Sequence, residues 1–182
     1  MSVFTNRQSR SPEQAREYTA AILGLLGDRD PHDVLRATPD ALRRAIADLS
    51  ADELRAPEAP GKWSIRQVVR HLADAEIVWG WRLRLVLSQD RPAITGYDQD
   101  AWAERLRYDA APVGEALDEL AALRRTHLRL LTAASAADLA RVGVHAERGD
   151  ESVAHMINMY AGHDLLHLQQ IDRIRAAVGH AR

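Results

Sequence analysis

The chain has 182 residues, 46% of them hydrophobic, contains no cysteine and carries a formal net charge of −2. This length and apolar fraction are typical of one globular domain with a full core. The lack of cysteine excludes disulfides, thiolate nucleophiles and cysteine zinc sites, and the lack of a dense basic run argues against nucleic-acid binding.

The N-terminal segment predicts a helix without an export signal. Residues 1–7 lack the apolar core of a signal peptide. No segment of the chain approaches the roughly 18 consecutive apolar residues of a membrane span, so we expect a cytoplasmic protein without membrane contact. Ser11 and Pro12 predict the start of a first helix, and Gly27 predicts its end.

Two further helix starts are predicted from proline positions. Asp30-Pro31 and Thr38-Pro39 each place a proline where the first helical residue is expected. The segment that starts at Thr38 and runs to about Leu49 is interpreted as the first helix of a bundle. The sequence therefore predicts a helical appendage over residues 1–37 and a helix bundle over residues 38–182, within one globular domain.

The second bundle helix has a well-defined start. Ser64 and Gln67 are spaced as a capping box, which predicts a helix over residues 65–88. Counting from that cap, His71 lies on the apolar face of the helix. Asp74 is a candidate acceptor for the ring proton of His71, a contact of the kind that orients metal ligands. A solvated Asp74 beside the histidine is the alternative.

Residues 91–100 form a long connection between the second and third bundle helices. Neighbouring helices of an up-down bundle can be joined by short loops, so this length predicts a crossover or a functional loop. Polar and aromatic side chains at its end are candidates to lie over a site in the bundle: Tyr97, Asp98, Asp100 and Trp102.

The third bundle helix is predicted over residues 112–134. Residues 142–150 are predicted to form an irregular or extended connection, and no strand pattern of any length is evident. Asp150 predicts the N-cap of the last helix, which is expected to end near Gly179.

The last helix carries two histidines on its apolar stripe. The residues of this stripe recur at steps of three or four: Val153, Met156, Tyr160, His163, His167, Ile171, Ile174 and Val178. Residues four apart on a helix lie about 5–6 Å apart, so His163 and His167 can hold one divalent ion at about 2.0–2.1 Å. With His71, which also faces the core, they indicate a metal site, because one ion satisfies three nitrogens that otherwise need separate partners.

The other histidines are weaker candidates. His127, on a leucine-rich face, and His155, two turns before His163, are each considered as a fourth ligand or a proton shuttle. A hydrogen-bonded core histidine is the ordinary alternative for both. The remaining histidines are predicted to face solvent: His32, His145 and His180.

Three segments together resemble the DinB/YfiT-like superfamily. They are residues 61–76 (GKWSIRQVVRHLADAE), residues 96–102 (GYDQDAW) and residues 162–171 (GHDLLHLQQI). The resemblance extends over roughly residues 38–177. It implies an all-α fold, a DinB-like four-helix bundle, here with an extra N-terminal helix and the long connection between bundle helices 2 and 3.

The resemblance also implies a function. Members hold a divalent metal ion, such as nickel or zinc, with three histidines, and His71, His163 and His167 match those positions. Members are often homodimers and are described as metal-dependent hydrolases or as S-transferases that use a low-molecular-weight thiol such as bacillithiol or mycothiol. The expected partners are therefore a small-molecule substrate, with or without such a thiol, and a second copy of the chain.

Two main hypotheses follow from a three-histidine site. Neutral ligands leave the ion its positive charge and an open position, which favours activation of water or an external thiol. Asp98 or Asp100 is the candidate proton acceptor in such an enzyme. The alternative is a protein that binds a metal or apolar ligand without turnover. A purely structural metal is a third possibility, and it predicts a closed shell of four ligands.

Overall fold

The computed structural model describes residues 12–179, which are mostly helical. The helices of this part of the chain are α1 (Pro12–Leu26), α2 (Pro31–Ile46), α3 (Ile65–Ser88), α4 (Gln99–Arg105), α5 (Val113–Thr132), α6 (Ala136–Leu139) and α7 (Val153–Ala177). Ser11, part of the predicted start of the first helix, and His180, predicted to face solvent, lie outside the described residues. None of the described helices is long and apolar enough to cross a membrane.

Helices α2, α3, α5 and α7 form a four-helix bundle, which confirms the predicted fold. Helix α3 packs on α5 and α7, α2 packs on α5 and α7, and α1 lies against α7. The capping box at the start of α3 is present, because Ser64 accepts from the backbone of Gln67 while the Gln67 side chain accepts from the Ser64 backbone. Since this cap sets the rotation of α3, it also sets the direction in which His71 points.

The predicted helix start at Thr38 is wrong, because α2 is continuous from Pro31 to Ile46 with Pro39 inside it. Proline has no N–H to donate to the carbonyl four residues earlier. That carbonyl, Leu35 O, instead accepts from Arg124 Nη1 at 2.7 Å. A side chain from α5 thus replaces the missing helical hydrogen bond. The division of the chain into an appendage and a bundle stays a prediction, and its boundary at residue 37 falls inside this helix.

A small sheet that the sequence did not predict lies beside the bundle. Strand β1 (Ala93–Ile94) pairs in parallel with β2 (Val142–His145), which pairs antiparallel with β3 (Gly149–Ser152). Gly149 adopts a φ of +80° at the start of β3, in the left-handed region that glycine tolerates. The connection predicted as irregular or extended is therefore a hairpin. Asp150 belongs to this hairpin, so the prediction that it caps the last helix is wrong. Ser152 is the N-cap of α7 instead.

Gly162 allows α1 to approach α7 closely. A Cβ at this position would lie 2.3 Å from the backbone oxygen of Ile22 and 2.6 Å from Ile22 Cγ2. We expect Gly162→Ala to displace α1 and lower the free energy of unfolding by about 1–3 kcal/mol. Gly114→Ala is the matched control, because a Cβ at Gly114 would meet no packed atom of the described chain within 4 Å. Equal thermal unfolding of the two variants would contradict this packing.

Candidate metal centre

The imidazoles of His71, His163 and His167 converge on one point in the bundle. His163 Nε2 lies 3.3 Å from His71 Nε2 and 3.1 Å from His167 Nε2. Two nitrogens that each bind a zinc-like ion at about 2.0–2.1 Å, at a tetrahedral angle, are about 3.3 Å apart. The spacing of the three nitrogens therefore fits a single divalent ion.

Two helices supply this group. The ordered start of α3 places His71, and successive turns of α7 place His163 and His167. His71 is fully buried and His167 is 3% exposed, while His163 is half-buried and lines a cavity. The predicted triad is thus brought together, and it could hold a divalent metal ion.

The hydrogen bonding of the rings also suits a metal. His167 Nδ1 lies 2.8 Å from Gln170 Oε1, and a carbonyl oxygen accepts, so the ring proton is on Nδ1 and the Nε2 lone pair is free. Within the described chain, Nδ1 of His71 and Nδ1 of His163 have no hydrogen-bond partner. Three facing Nε2 atoms cannot all be satisfied by one another, because each neutral nitrogen either donates one proton or accepts.

Burial keeps the three rings neutral, the form that binds a metal. Burial and the neighbouring ring of His167 hold the pKa of His71 well below its ordinary value. Burial and the same neighbour do so for His163. Burial lowers the pKa of His167 to about 4, although its contact with Gln170 opposes the shift.

The structure gives Asp74 a different role from the one predicted. Its carboxylate accepts from Arg70 and from the hydroxyl of Tyr108, both at 2.5 Å. His71 Nδ1 is not among its partners. Asp74 is 7% exposed, so neither the expected contact with His71 nor the solvated alternative describes it. It ties α3 to the segment that follows α4.

Neither of the predicted proton acceptors lies in the cavity. Asp98 is exposed and caps α4, where its Oδ1 accepts from the backbone of Ala101 at 2.9 Å. Asp100 is exposed in the first turn of the same helix. Tyr97 does line the cavity, and the ring of Trp102 packs against the Tyr97 ring at a tilt of 47°, with centroids 4.5 Å apart. Tyr97, rather than Asp98 or Asp100, is therefore the residue of this group that lies at the site.

A cavity of about 100 Å³ adjoins the histidine group on the His163 side. A water needs only about 10–15 Å³ of such volume, so the cavity can admit a small molecule. Side chains from α1, α3, the long loop, the hairpin and α7 line it, and the principal ones are Tyr18, Arg82, Tyr97, His145 and Tyr160. Concave sites of this kind, with a few convergent polar groups, are where small ligands bind.

The prediction that His145 faces solvent is wrong. It is the last residue of β2, is 2% exposed and lines the cavity. Sequence reasoning missed it, and also Arg82, because the sheet that encloses the cavity was not predicted. The available signal for the hairpin was the short run Val142–His145 followed by Gly149. Its apolar pattern does not reveal the buried face, because Val144 is exposed whereas His145 is buried.

The remaining histidines are not part of the triad. His127 is 2% exposed and its Nδ1 lies 2.7 Å from Glu76 Oε1, which matches the ordinary alternative of a hydrogen-bonded core histidine. His155 is half-buried near the start of α7. His32 is half-buried at the start of α2, where full exposure was expected.

A buried charge network lies behind the histidines. Arg124 donates to Glu76 Oε2 at 2.8 Å and to Asp164 Oδ2 at 2.7 Å, and all three side chains are at most 2% exposed. The network connects α3, α5 and α7 and reaches α2 through Leu35 O. Asp164 follows His163 directly, so the network fixes the helix segment that carries two of the three histidines.

Comparison with known proteins agrees with this arrangement. The model of the DinB superfamily matches residues 35–171. A protein of Oceanobacillus iheyensis named "Putative metal-dependent hydrolase" is 34% identical over 133 residues, 73% of this chain and 77% of its own. A protein of Bacillus mycoides with the same description is 34% identical over 137 residues, 75% of this chain and 79% of its own.

A solved structure is similar over nearly the whole chain. It is YfiT from Bacillus subtilis, described as "a probable metal-dependent hydrolase with an unusual four-helix bundle topology". The TM-score is 0.77 at 26% sequence identity, and the match covers 97% of this chain and 94% of YfiT.

Proposed function

This chain belongs to the DinB superfamily, and we propose that it is a metal-dependent enzyme that acts on a small molecule. In this proposal His71, His163 and His167 hold one divalent ion, nickel or zinc. The convergence of their three Nε2 atoms at the edge of a cavity is the observation that carries it. The names of the relatives support a hydrolase.

The ion would supply the positive charge that lowers the pKa of water or of a thiol to near neutrality. The residues of the chain would hold the ion, orient its ligands and shape the access to it. The buried imidazoles keep their lone pairs available, Gln170 fixes the ring of His167, and the half-buried His163 leaves one side of the group accessible from the cavity. Aromatic side chains such as Tyr97 and Tyr160 would exclude bulk water from a bound substrate.

Transfer of an external thiol is the second candidate reaction. The chain has no cysteine of its own, so a thiol at this site must come from another molecule. A thiolate is a stronger nucleophile than water and a good ligand for zinc. A homodimer, which rests on the similarity to the superfamily, completes the proposal, and the cytoplasmic location stays an expectation from the sequence.

Metal content is the first measurement. We expect about one nickel or zinc ion per chain, by plasma mass spectrometry, in protein purified without an affinity tag or chelator. The loaded protein is then assayed on an activated ester, with water alone and with added small thiols. Ester cleavage without thiol supports the hydrolase, and conjugation that requires thiol supports the transferase. Protein that takes up no metal even after reconstitution contradicts the proposed function.

A further inference from the structure

Arg82 is a buried cation without a carboxylate partner. It is 9% exposed and lines the cavity beside His163. Its Nη2 donates to the backbone oxygen of Thr95 at 2.6 Å, and it also contacts the Tyr160 side chain. Among residues 12–179, no Asp or Glu oxygen lies within ion-pair distance of it. A buried charge is costly unless an opposite charge compensates it, so Arg82 is suited to an anion that enters the cavity.

The other charges of the cavity do not neutralise Arg82. Arg148 also lines the cavity, but it is paired through two hydrogen bonds with Glu151, at 2.5 and 3.0 Å. Glu147 lines the cavity too and is half-buried, but its carboxylate forms no ion pair with Arg82 in the described part of the chain. Among the described residues that line the cavity, Arg82 is therefore a buried cation that no carboxylate contacts.

His145, which lines the same cavity, has a ring N–H donor without an acceptor among the described residues. Its Nδ1 accepts from the backbone N–H of Glu147 at 3.2 Å, so in the neutral ring the proton is on Nε2. Burial, with a contribution from the charge of Arg148, lowers the pKa of His145 to about 4, so the ring is neutral at pH 7. Nε2 is buried and has no partner within the described part of the chain. A buried donor without an acceptor is uncommon and costs about 1–3 kcal/mol.

We propose that Arg82 and His145 bind a carboxylate group of the substrate. This inference rests on the proposed function, because it names the class of molecule that would reach the His71, His163 and His167 group. A carboxylate has one negative charge and two acceptor oxygens. It therefore matches one unpaired guanidinium and one unpaired N–H donor. A phosphate dianion would bring a second negative charge, and the described lining of the cavity offers no second cation without a carboxylate partner.

The test uses small probes on the full-length protein, both zinc-loaded and after removal of metal by a chelator. Propionate supplies the carboxylate, propionamide is its neutral counterpart, and inorganic phosphate is the competing anion. Binding is followed by NMR through the ring resonances of His145. We expect propionate to bind more tightly than either other probe and to shift these resonances in both samples.

Arg82→Gln should weaken propionate binding at least tenfold, whereas the matched control Arg84→Gln should leave it unchanged. Arg84 lies on the same helix, is exposed and does not line the cavity. If Arg82→Gln does not fold, His145→Leu provides the same test, because it removes the donor and nearly preserves the volume. Since this variant lacks the His145 ring, its binding is compared with that of the wild type through the resonances of propionate itself. Propionate binding that is absent in the wild type, unchanged in the variants or weaker than phosphate binding would overturn the proposal. A protein that retains no zinc but binds propionate through Arg82 would contradict only the proposed metal function.

Discussion

Replacing His163 or His167 by alanine is expected to reduce the metal content from about one ion per chain to a trace, while the protein still folds. Either change leaves two ligands, and the chelate formed by adjacent turns of α7 is lost. The fold should persist because the apolar clusters of the bundle do not include these rings. Metal content by plasma mass spectrometry, with far-ultraviolet circular dichroism as the folding check, measures both effects.

His155→Ala is the matched control for these variants. His155 lies on the same helix, is half-buried and is not one of the three converging histidines. We expect it to retain metal at the wild-type level. Loss of metal in His155→Ala would instead support the fourth-ligand role considered from the sequence. Unchanged metal in both His163→Ala and His167→Ala would refute the proposed site.

The bundle was predictable because its signals are local. The capping box at Ser64 and Gln67 fixes the start of α3, and the apolar period of three and four fixes the inward face of α7. Pro39 led to the wrong prediction of a helix start at Thr38, because the side chain that replaces its missing helical hydrogen bond is remote in sequence. The carbonyl that it leaves free is satisfied by Arg124, on a different helix. Local sequence patterns around Pro39 cannot predict that the buried side chain of Arg124 will lie next to the Leu35 carbonyl.

The histidine triad was predictable because its signals are local, whereas the other residues that line the cavity were not predictable. His163 and His167 are one helical turn apart, so their proximity follows from the helix alone. Arg82 and His145 come together only because β1 pairs with β2 across a long stretch of sequence. A two-residue strand gives almost no periodic signal. The acids Asp98 and Asp100 were chosen by residue type, but a carboxylate at a helix start is often a cap, as Asp98 is.

Replacement of Arg124, the cation of the buried charge network, is expected to lower the stability of the fold strongly. Burial disfavours its charged form, but the carboxylates of Asp164 and Glu76 outweigh that and raise the pKa of Arg124. We expect Arg124→Met to lower the free energy of unfolding by about 3–5 kcal/mol, because it leaves two buried acids without their cation. Urea unfolding is the appropriate measurement, since guanidinium salt would screen the charges under study.

Arg43→Met is the matched control for the Arg124 variant, because it removes another arginine that links α2 to α5. Arg43 binds Asp118 at 2.6 Å, but both side chains are exposed, at 44% and 76%. An exposed pair contributes about 0–1 kcal/mol, so the control should unfold near the wild-type midpoint. Arg124→Met should also weaken metal binding without removing a ligand, because Asp164 then loses the partner that fixes the turn of α7 next to His163. Equal stability of the two variants would mean that apolar packing, not the buried network, holds the four helices in register.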